Sequence, residues 1–485
     1  MNPFLLSSRH SRLSQPSLQE TRLTSQQIQE LQRALPGRVH TDGASLQEKS
    51  SDFGRMIRRT PGAVVRPAGA EDVVQAVRFA RVQRISVATR GEAHTQSGQA
   101  LTEGGILLDL TSLSQIESID SSPLSATCGA GIRWMDLVAA TTGRGLIPPV
   151  LTNNLGVTVG GTLSVAGLGV ASFRYGTQGD NALELEVVTG AGDRVVCSHT
   201  ENPEVFDAVR SGLGQFGIIT KAKVRLRPCR TATRTYFLLY DDLQALMDDS
   251  RELMDTQRFH YLESWCVPCP QGFRKVEGDF QAFAEWFYPL HATIEFDPSE
   301  PPDDDALLAG LRFYRKSHVG DRSLLEFSNR LEPLFAAWRR MGYWGNAHPW
   351  METILPWAAA AAYIRQVLAN LPPTALGGGH VLLWPCKGTT SSVPLFQVPP
   401  GEHVMGFGIL PGIPLEILAP VKARLNRASD AGMAAGGKRY LSGFIEFDRP
   451  RWKQHFGAAW PRILELKRTY DPDGILNPGF IDYGE

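Results

Sequence analysis

A single histidine set in a polar, glycine-bearing loop is the first place in this chain where residue types and spacing suggest chemistry: Arg90-Gly91-Glu92-Ala93-His94-Thr95-Gln96-Ser97-Gly98-Gln99. Glycine permits left-handed dihedrals, and successive backbone N–H groups in such a turn can point at phosphate oxygens. A second stretch, from Val157 to Gly167, pairs Gly160 and Gly161 with small hydroxyl residues and would let a backbone approach a ligand closely. Either stretch alone reads as an ordinary tight turn; the two together, with a lone histidine in the first, favour a cofactor pocket. A third, Gly212-Leu-Gly-Gln-Phe-Gly217, spells G-x-G-x-x-G, but a helical segment precedes it and an alternating strand follows. A dinucleotide fingerprint needs the reverse order, so this segment is read as a packing turn that can touch a cofactor. The chain has no H-E-x-x-H, no G-x-x-x-x-G-K-[ST] and no G-x-S-x-G. Cys266-Val-Pro-Cys269 stands without a second pair or a histidine set, so both are read as buried thiols and no metal site is expected.

Loops of this kind need elements to hold them. Ala63 to Arg66 reads as a short strand, and the next segment opens with Glu71 and Asp72 and then places Val73, Val74, Val77, Phe79 and Ala80 on roughly one helical face. Alternation continues with strands at Ile85–Thr89, Ile106–Leu110, Leu183–Thr189 and Ile218–Leu226, and helices at Ile132–Ala140 and Glu204–Ser211. Beyond Pro228 aromatic residues crowd in and glycine thins, which puts a boundary near residue 230. Glu300 to Asp305 and Val393 to Gly401 read as surface loops. Lys438 to Leu441 reads as a strand, Trp452 to Lys467 as one helix and Tyr470 to Gly474 as a turn. Residues 1 to about 28 lack apolar periodicity and read as a loose lead-in.

Whole-chain properties narrow the function classes. A length of 485 residues exceeds what one hydrophobic core supports and predicts two domains. With 49 basic and 50 acidic residues, no overall charge draws the chain to nucleic acid or an anionic membrane. The apolar run Phe4-Leu5-Leu6 is far short of a signal peptide's core, and the alanine-rich stretch Trp357 to Tyr363 is too short to span a bilayer. Six scattered cysteines suit a reducing compartment. A cytoplasmic enzyme with a small-molecule substrate is expected.

The motifs resemble those of the cytokinin dehydrogenases, flavoproteins whose FAD domain is of the vanillyl-alcohol-oxidase type. That family carries an R-G-x-G-H-S-x-x-G-Q loop whose histidine is bonded to the flavin; His94, Gly98 and Gln99 match it, with Ala93 for a glycine and Thr95 for a serine. Its T-V-G-G-T-L-S-x-A-G is matched from Thr158 to Gly167, and its F-R-x-G-x-Q-x-x-N by Phe173, Arg174, Gly176, Gln178 and Asn181. Its G-G-L-G-Q-F-G-V-I-T is matched from Ser211 to Thr220, its H-P-W by His348-Pro349-Trp350, its K-x-Y-L by Lys438 to Leu441, and its H-F-G-A-A by His455 to Ala459. One position departs: where the family has W-T-D-Y-L, with an aspartate that accepts a hydrogen bond from the substrate amine, this chain has Leu151-Thr152-Asn153-Asn154-Leu155. An amide can accept that bond but cannot take a proton.

The resemblance implies an α+β fold: a PCMH-type FAD-binding domain from 30–230 and 436–485, and a sheet-and-helix substrate-binding cap from 231–435. It implies FAD held covalently through His94. The cofactor would lie against Gly91, Glu92, Ala93, Thr95, Gln99, Asn153, Thr158, Gly161, Ser164, Leu168, Ile219, Tyr440 and Asn477. The implied reaction moves hydride from a CH–NH group to flavin N5, with a quinone or oxygen as electron acceptor. Oxidation of a different amine, alcohol or acid is the other reading. In the amine reading the Asn153 side-chain oxygen orients the substrate N–H, and Glu263 and Glu352 are the candidate proton acceptors. Glu263 corresponds to the family's pocket-mouth glutamate, and Trp350 could stack on a planar ring. Either acid could equally be a solvated surface group.

Overall fold

The computed structural model describes residues 22–276 and 278–484. Within the expected lead-in, residues 1–21 lie outside that range. Beyond them, however, the helix Ser25–Ala34 begins before residue 28, because Thr24 and Gln27 cap it reciprocally through side chain and backbone.

Two sheets hold the glycine-rich loops. In the first, Ala63–Val65, Ile106–Asp109 and Val87–Arg90 run parallel, with the short strand Val39–His40 antiparallel at the edge. The helix Ala70–Gln83 packs on it with Val73, Val74, Val77 and Ala80 buried, as read from the sequence, while Phe79 of the same expected face is only partly buried against that core. The second sheet is antiparallel, in the order Ile116–Ser121, Leu124–Gly129, Gly217–Arg225, Ala182–Thr189, Arg194–Ser198. The segment from Gly212 to Gly217 leaves the helix Pro203–Val209 and enters a strand, as expected of a turn rather than a dinucleotide loop.

An eight-stranded antiparallel sheet dominates the rest: Arg315–Ser323, Ala232–Tyr240, Asp279–Phe296, Tyr261–Val276, His380–Lys387, His403–Leu410, Met351–Pro356 and Lys438–Arg439. Period-two alternation divides its faces. Leu262 and Cys266, Val381 and Leu383, Met405 and Phe407, and Met351 and Leu355 pack into one core with the helices Leu243–Thr256, Trp357–Ala369 and Leu418–Ala434. The alternate residues Glu263, Leu382, Trp384 and Glu352 turn the other way and line a cavity. Helices and mostly antiparallel sheets are mixed along the chain, consistent with an α+β fold. Among the described residues no helix is long and apolar enough to cross a membrane.

Several sequence expectations need correction. The segment from Trp452 to Lys467 is two helices, Arg449–Phe456 and Trp460–Tyr470, because Gly457 adopts a φ of 53° between them. The strand at Lys438–Leu441 has two residues, and it pairs with Met351–Pro356, so the large sheet extends past 435. The acidic run near 303 is not all loop: Asp303 caps the short helix Asp304–Leu308 by accepting from Asp305 and Ala306. Cys269 is exposed rather than buried, and it points away from Cys266 because residues three apart on one strand face opposite sides.

Candidate active site

The loop after Val87–Arg90 carries the histidine into a cavity between the smaller sheets and the uncovered face of the large one, with about 1850 Å³ of empty space counted out to its open mouth. Asp52 fixes the loop: one of its carboxylate oxygens accepts from Thr95 Oγ1 and from the Gly98 N–H, both at 2.9 Å. Neighbouring backbone pairs add Phe53 N–H to Ala93 O and Gly54 N–H to Thr95 O, each at 2.9 Å. Ala93 sits at φ 49°, a left-handed conformation that favours glycine.

Four rings set the histidine. Trp338, His348, Phe53 and His94 stack in series, with centroid distances of 5.7, 4.2 and 4.0 Å and interplanar angles of 20° or less. Trp350 closes on His94 at 5.4 Å. His94 Nε2 is buried without a hydrogen-bond partner, and burial holds the ring's pKa down to about 4, so the imidazole is neutral at ordinary pH.

The floor is built for close approach. Thr158 caps the short helix Val159–Leu163 by accepting from the Gly161 N–H, and Ser164 Oγ donates back to Gly160 O. A Cβ on Gly91 would collide with Thr158, and one on Gly160 with Ala130. Asn477 ties the far wall: its side chain accepts from the Thr89 N–H and donates to Gly214 O, and Gln215 donates to its backbone carbonyl. Tyr440 is buried, with its hydroxyl accepting from the Leu168 N–H at 3.1 Å. A buried, unpartnered ring nitrogen beside glycines with no room for a side chain fits a flat aromatic cofactor of the FAD kind, held against Gly91, Gly160 and Gly161.

The opposite wall carries the polar groups. Asn153, Glu263 and Arg330 form a closed set: Asn153 Nδ2 donates to Glu263 Oε1 at 2.6 Å, Arg330 Nη2 to Asn153 Oδ1 at 2.7 Å, and Arg330 Nε to Glu263 Oε2 at 3.1 Å. The side-chain oxygen of Asn153, expected to orient substrate, already receives Arg330. Glu263 is 4% exposed. Burial alone would raise its pKa, but the charge of Arg330, then His291, and the bonds from Arg330 and Asn153 outweigh that and hold it below the ordinary range. Glu352 is different: burial pushes its carboxyl up to about 7, against the hydroxyl bond from Ser442 at 2.6 Å and the charge of Arg439.

Every residue the sequence points to, from Gly91 through Glu92, Thr95, Gln99, Leu168 and Ile219 to Asn477, lines this one cavity. Sequence reasoning missed Asp52 and Phe53, which lie in no motif, along with Arg330 and His380. His380 also lines the cavity, its ring 4.6 Å from that of Trp265 and its pKa lowered by burial to about 4.

Two family models match the chain. One, described as an FAD binding domain, covers residues 61–198. The other, described as cytokinin dehydrogenase 1, FAD and cytokinin binding, covers residues 231–481. The chain is 34% identical over 451 residues to an uncharacterized oxidoreductase, ORF5 in the fasciation locus of Rhodococcoides fascians, spanning 92% of this chain and 99% of that protein. It is 31% identical over 504 residues to cytokinin dehydrogenase 10 of Oryza sativa subsp. japonica, spanning 94% and 90%. Identity to cytokinin dehydrogenase 6 of the same plant is 30% over 506 residues, spanning 92% and 91%.

Proposed function

The chain belongs to the cytokinin dehydrogenase family of FAD-dependent oxidoreductases, and from that premise we propose that it oxidises the CH–NH bond of a cytokinin-like amine, with FAD attached covalently through His94. The observation that carries this reading is the placement of a neutral, unpartnered histidine and two chemically distinct carboxylates in one cavity. In the proposed division, residues 30–230 and 436–485 form the FAD-binding domain and 231–435 the substrate cap. FAD, when bound, supplies the hydride acceptor at N5; a quinone or oxygen then takes the electrons.

The chain's own residues do the rest. Phe53 and His348 hold the His94 ring in one orientation, and a covalent link there would keep the flavin in place and raise its potential. Trp350 offers a stacking face for a planar ring. Loss of hydride from carbon and of a proton from nitrogen turns CH–NH into C=N, so a base must receive the proton. Glu352, poised near neutrality, suits that task, whereas Glu263 is held ionised by Arg330 and is a weak base. Six free thiols support placing the enzyme in a reducing compartment, the cytoplasm.

Two measurements test the reading. Denatured protein on a gel should fluoresce under ultraviolet light, and a dark band would overturn covalent attachment while leaving FAD binding intact. Isopentenyladenine should bleach the flavin in the absence of oxygen. An unbleached flavin would favour the second reading, oxidation of another amine, alcohol or acid, for which the amide at Asn153 is the specific support.

A further inference from the structure

The reaction as proposed asks for a hydrogen-bond acceptor facing the substrate N–H, and the residue at the family's acceptor position is an amide. The structure shows how that amide is held. An asparagine placed between a carboxylate and a guanidinium has one sensible orientation: its NH₂ faces Glu263 and its oxygen faces Arg330. Arg330 reaches both partners at once, through Nη2 and Nε, from the turn that follows the helix Leu324–Ser328. It is itself 11% exposed in its side chain and packs 5.1 Å from the Phe327 ring. Such a planar fork fixes geometry in a way a lysine ammonium does not.

The consequence falls on Glu263. Each of its oxygens accepts one bond from the protein, and a carboxylate offers about four acceptor positions, so two remain. Glu263 lines the cavity and faces Arg330, His291 and His380. Of these, only Arg330 is a permanent cation, since burial lowers the pKa of both imidazoles. A charged acceptor makes a hydrogen bond roughly twice as strong as a neutral amide does. We propose that Arg330 is a positioning residue that keeps Glu263 ionised and turns the Asn153 oxygen away, so that Glu263 receives the substrate N–H in this enzyme. Arg330 thereby moves the acceptor from position 153 to position 263. Hydride loss leaves a protonated imine whose one N–H stays bonded to Glu263, which stabilises the cation without taking the proton, because a carboxylate held by a buried cation accepts bonds well and protons poorly. The proton passes to Glu352, a second carboxyl of the cavity, once the imine leaves Glu263.

This inference rests on the amine-oxidation reading, and one experiment separates the two. The rate of anaerobic flavin reduction by isopentenyladenine is measured across pH in the holoenzyme, in Arg330→Met and in Arg330→Lys, together with flavin content. Without the guanidinium, Glu263 is a buried carboxyl with no permanent cation beside it, so its protonation enters the working range. The expected result for Arg330→Met is a rate of flavin reduction at low isopentenyladenine that falls with one more proton than wild type on the acid side, an additional loss of about tenfold per pH unit. Flavin content should be unchanged, and Arg330→Lys should restore the wild-type slope. Where Arg330→Met does not fold, Arg330→Gln keeps hydrogen-bonding length without charge and should show the same added slope. An unchanged slope in a variant that still carries flavin overturns the inference alone. A wild-type flavin that isopentenyladenine does not bleach overturns the amine reading and the inference with it.

Discussion

Glu263 and Glu352 show how two carboxyl groups of one cavity acquire opposite characters from their surroundings: the first meets a guanidinium directly, while for the second burial outweighs a hydroxyl bond and the charge of Arg439. A carboxyl whose folded pKa lies above its ordinary 4.5 binds its proton more tightly when folded, so burial of Glu352 costs stability progressively as pH rises from there to about 7. Glu352→Gln should remove that fall, so its melting temperature relative to wild type should climb across this window and then level. The same change should slow flavin reduction by roughly a hundredfold or more and erase the pH dependence near neutrality. Asn153→Asp sets a second carboxylate against Glu263 with one Arg330 to share, so the pair should titrate together at a raised pKa. Above that pKa the extra charge-assisted bond, worth about 1.5–3 kcal/mol, should speed amine oxidation by about one to two powers of ten; the ratio of flavin-reduction rates at acid and alkaline pH checks it. At Ala93, where φ is 49°, Ala93→Gly should relieve strain and stabilise by up to about 1 kcal/mol, read as a small rise in melting temperature. The residues that motifs reveal are those that line the cavity, most of them on loops. Arg330 left no trace in the sequence because its role depends on meeting, across 177 positions, the asparagine it holds.

At the level of elements, glycines on one strand set the position of an aromatic on the next. Trp384 pairs in register with Gly406, and its indole lies across Gly406 and Gly408 so closely that a Cβ at 406 would fall inside the ring. Gly406→Ala must therefore displace Trp384 from the cavity wall. The expected result is a several-fold rise in substrate KM with flavin content retained; an unaltered KM would show that Trp384 takes no part in substrate binding. The parallel strands and the helix Ala70–Gln83 were legible because their periodicities are regular and their core face is apolar throughout. The paired strands Tyr261–Val276 and Asp279–Phe296 were not, since the first is largely exposed beyond Cys266 and carries Pro268, Pro270 and Gly272 in place of clean alternation, and the second is mostly half-buried where it pairs with that part. Helix breaks were missed for a similar reason: nothing in the run from Trp452 to Lys467 distinguishes Gly457 as a stop from a tolerated interior glycine until its φ is known. The ring stack is also an element-scale feature, joining the His94 loop to the helix Glu332–Arg340 and to His348, residues separated by well over two hundred positions.

Across the whole molecule the cavity is where otherwise separate cores meet. The parallel sheet, the five-stranded sheet and the large sheet each keep their own buried cluster, yet the loops and strand faces around the cavity belong to all three. Across this junction the Trp350 N–H donates to Gln96 Oε1 and the Ile445 N–H to Ser97 Oγ, at 2.9 and 2.8 Å. A ligand seated there contacts every core at once, so it should stabilise the folded chain as a unit rather than one region of it. For a ligand that binds reversibly, stabilisation grows with its free concentration, by about 2.7 kcal/mol at a hundredfold excess over Kd. For one tethered by a bond it does not, because the local concentration is fixed by the chain. Thus His94→Ala, loaded with FAD, should melt at a temperature that climbs with added FAD and drops on dilution, whereas wild type should melt at one temperature whatever the free FAD. His94 lies in the ring stack, so part of the loss in His94→Ala is packing; Phe53→Ala, which unstacks the same ring but keeps the imidazole, isolates that part. Phe53→Ala should lower the melting temperature without making it depend on free FAD. A wild-type melting temperature that itself rises with added FAD would mean that the flavin is held by contacts alone.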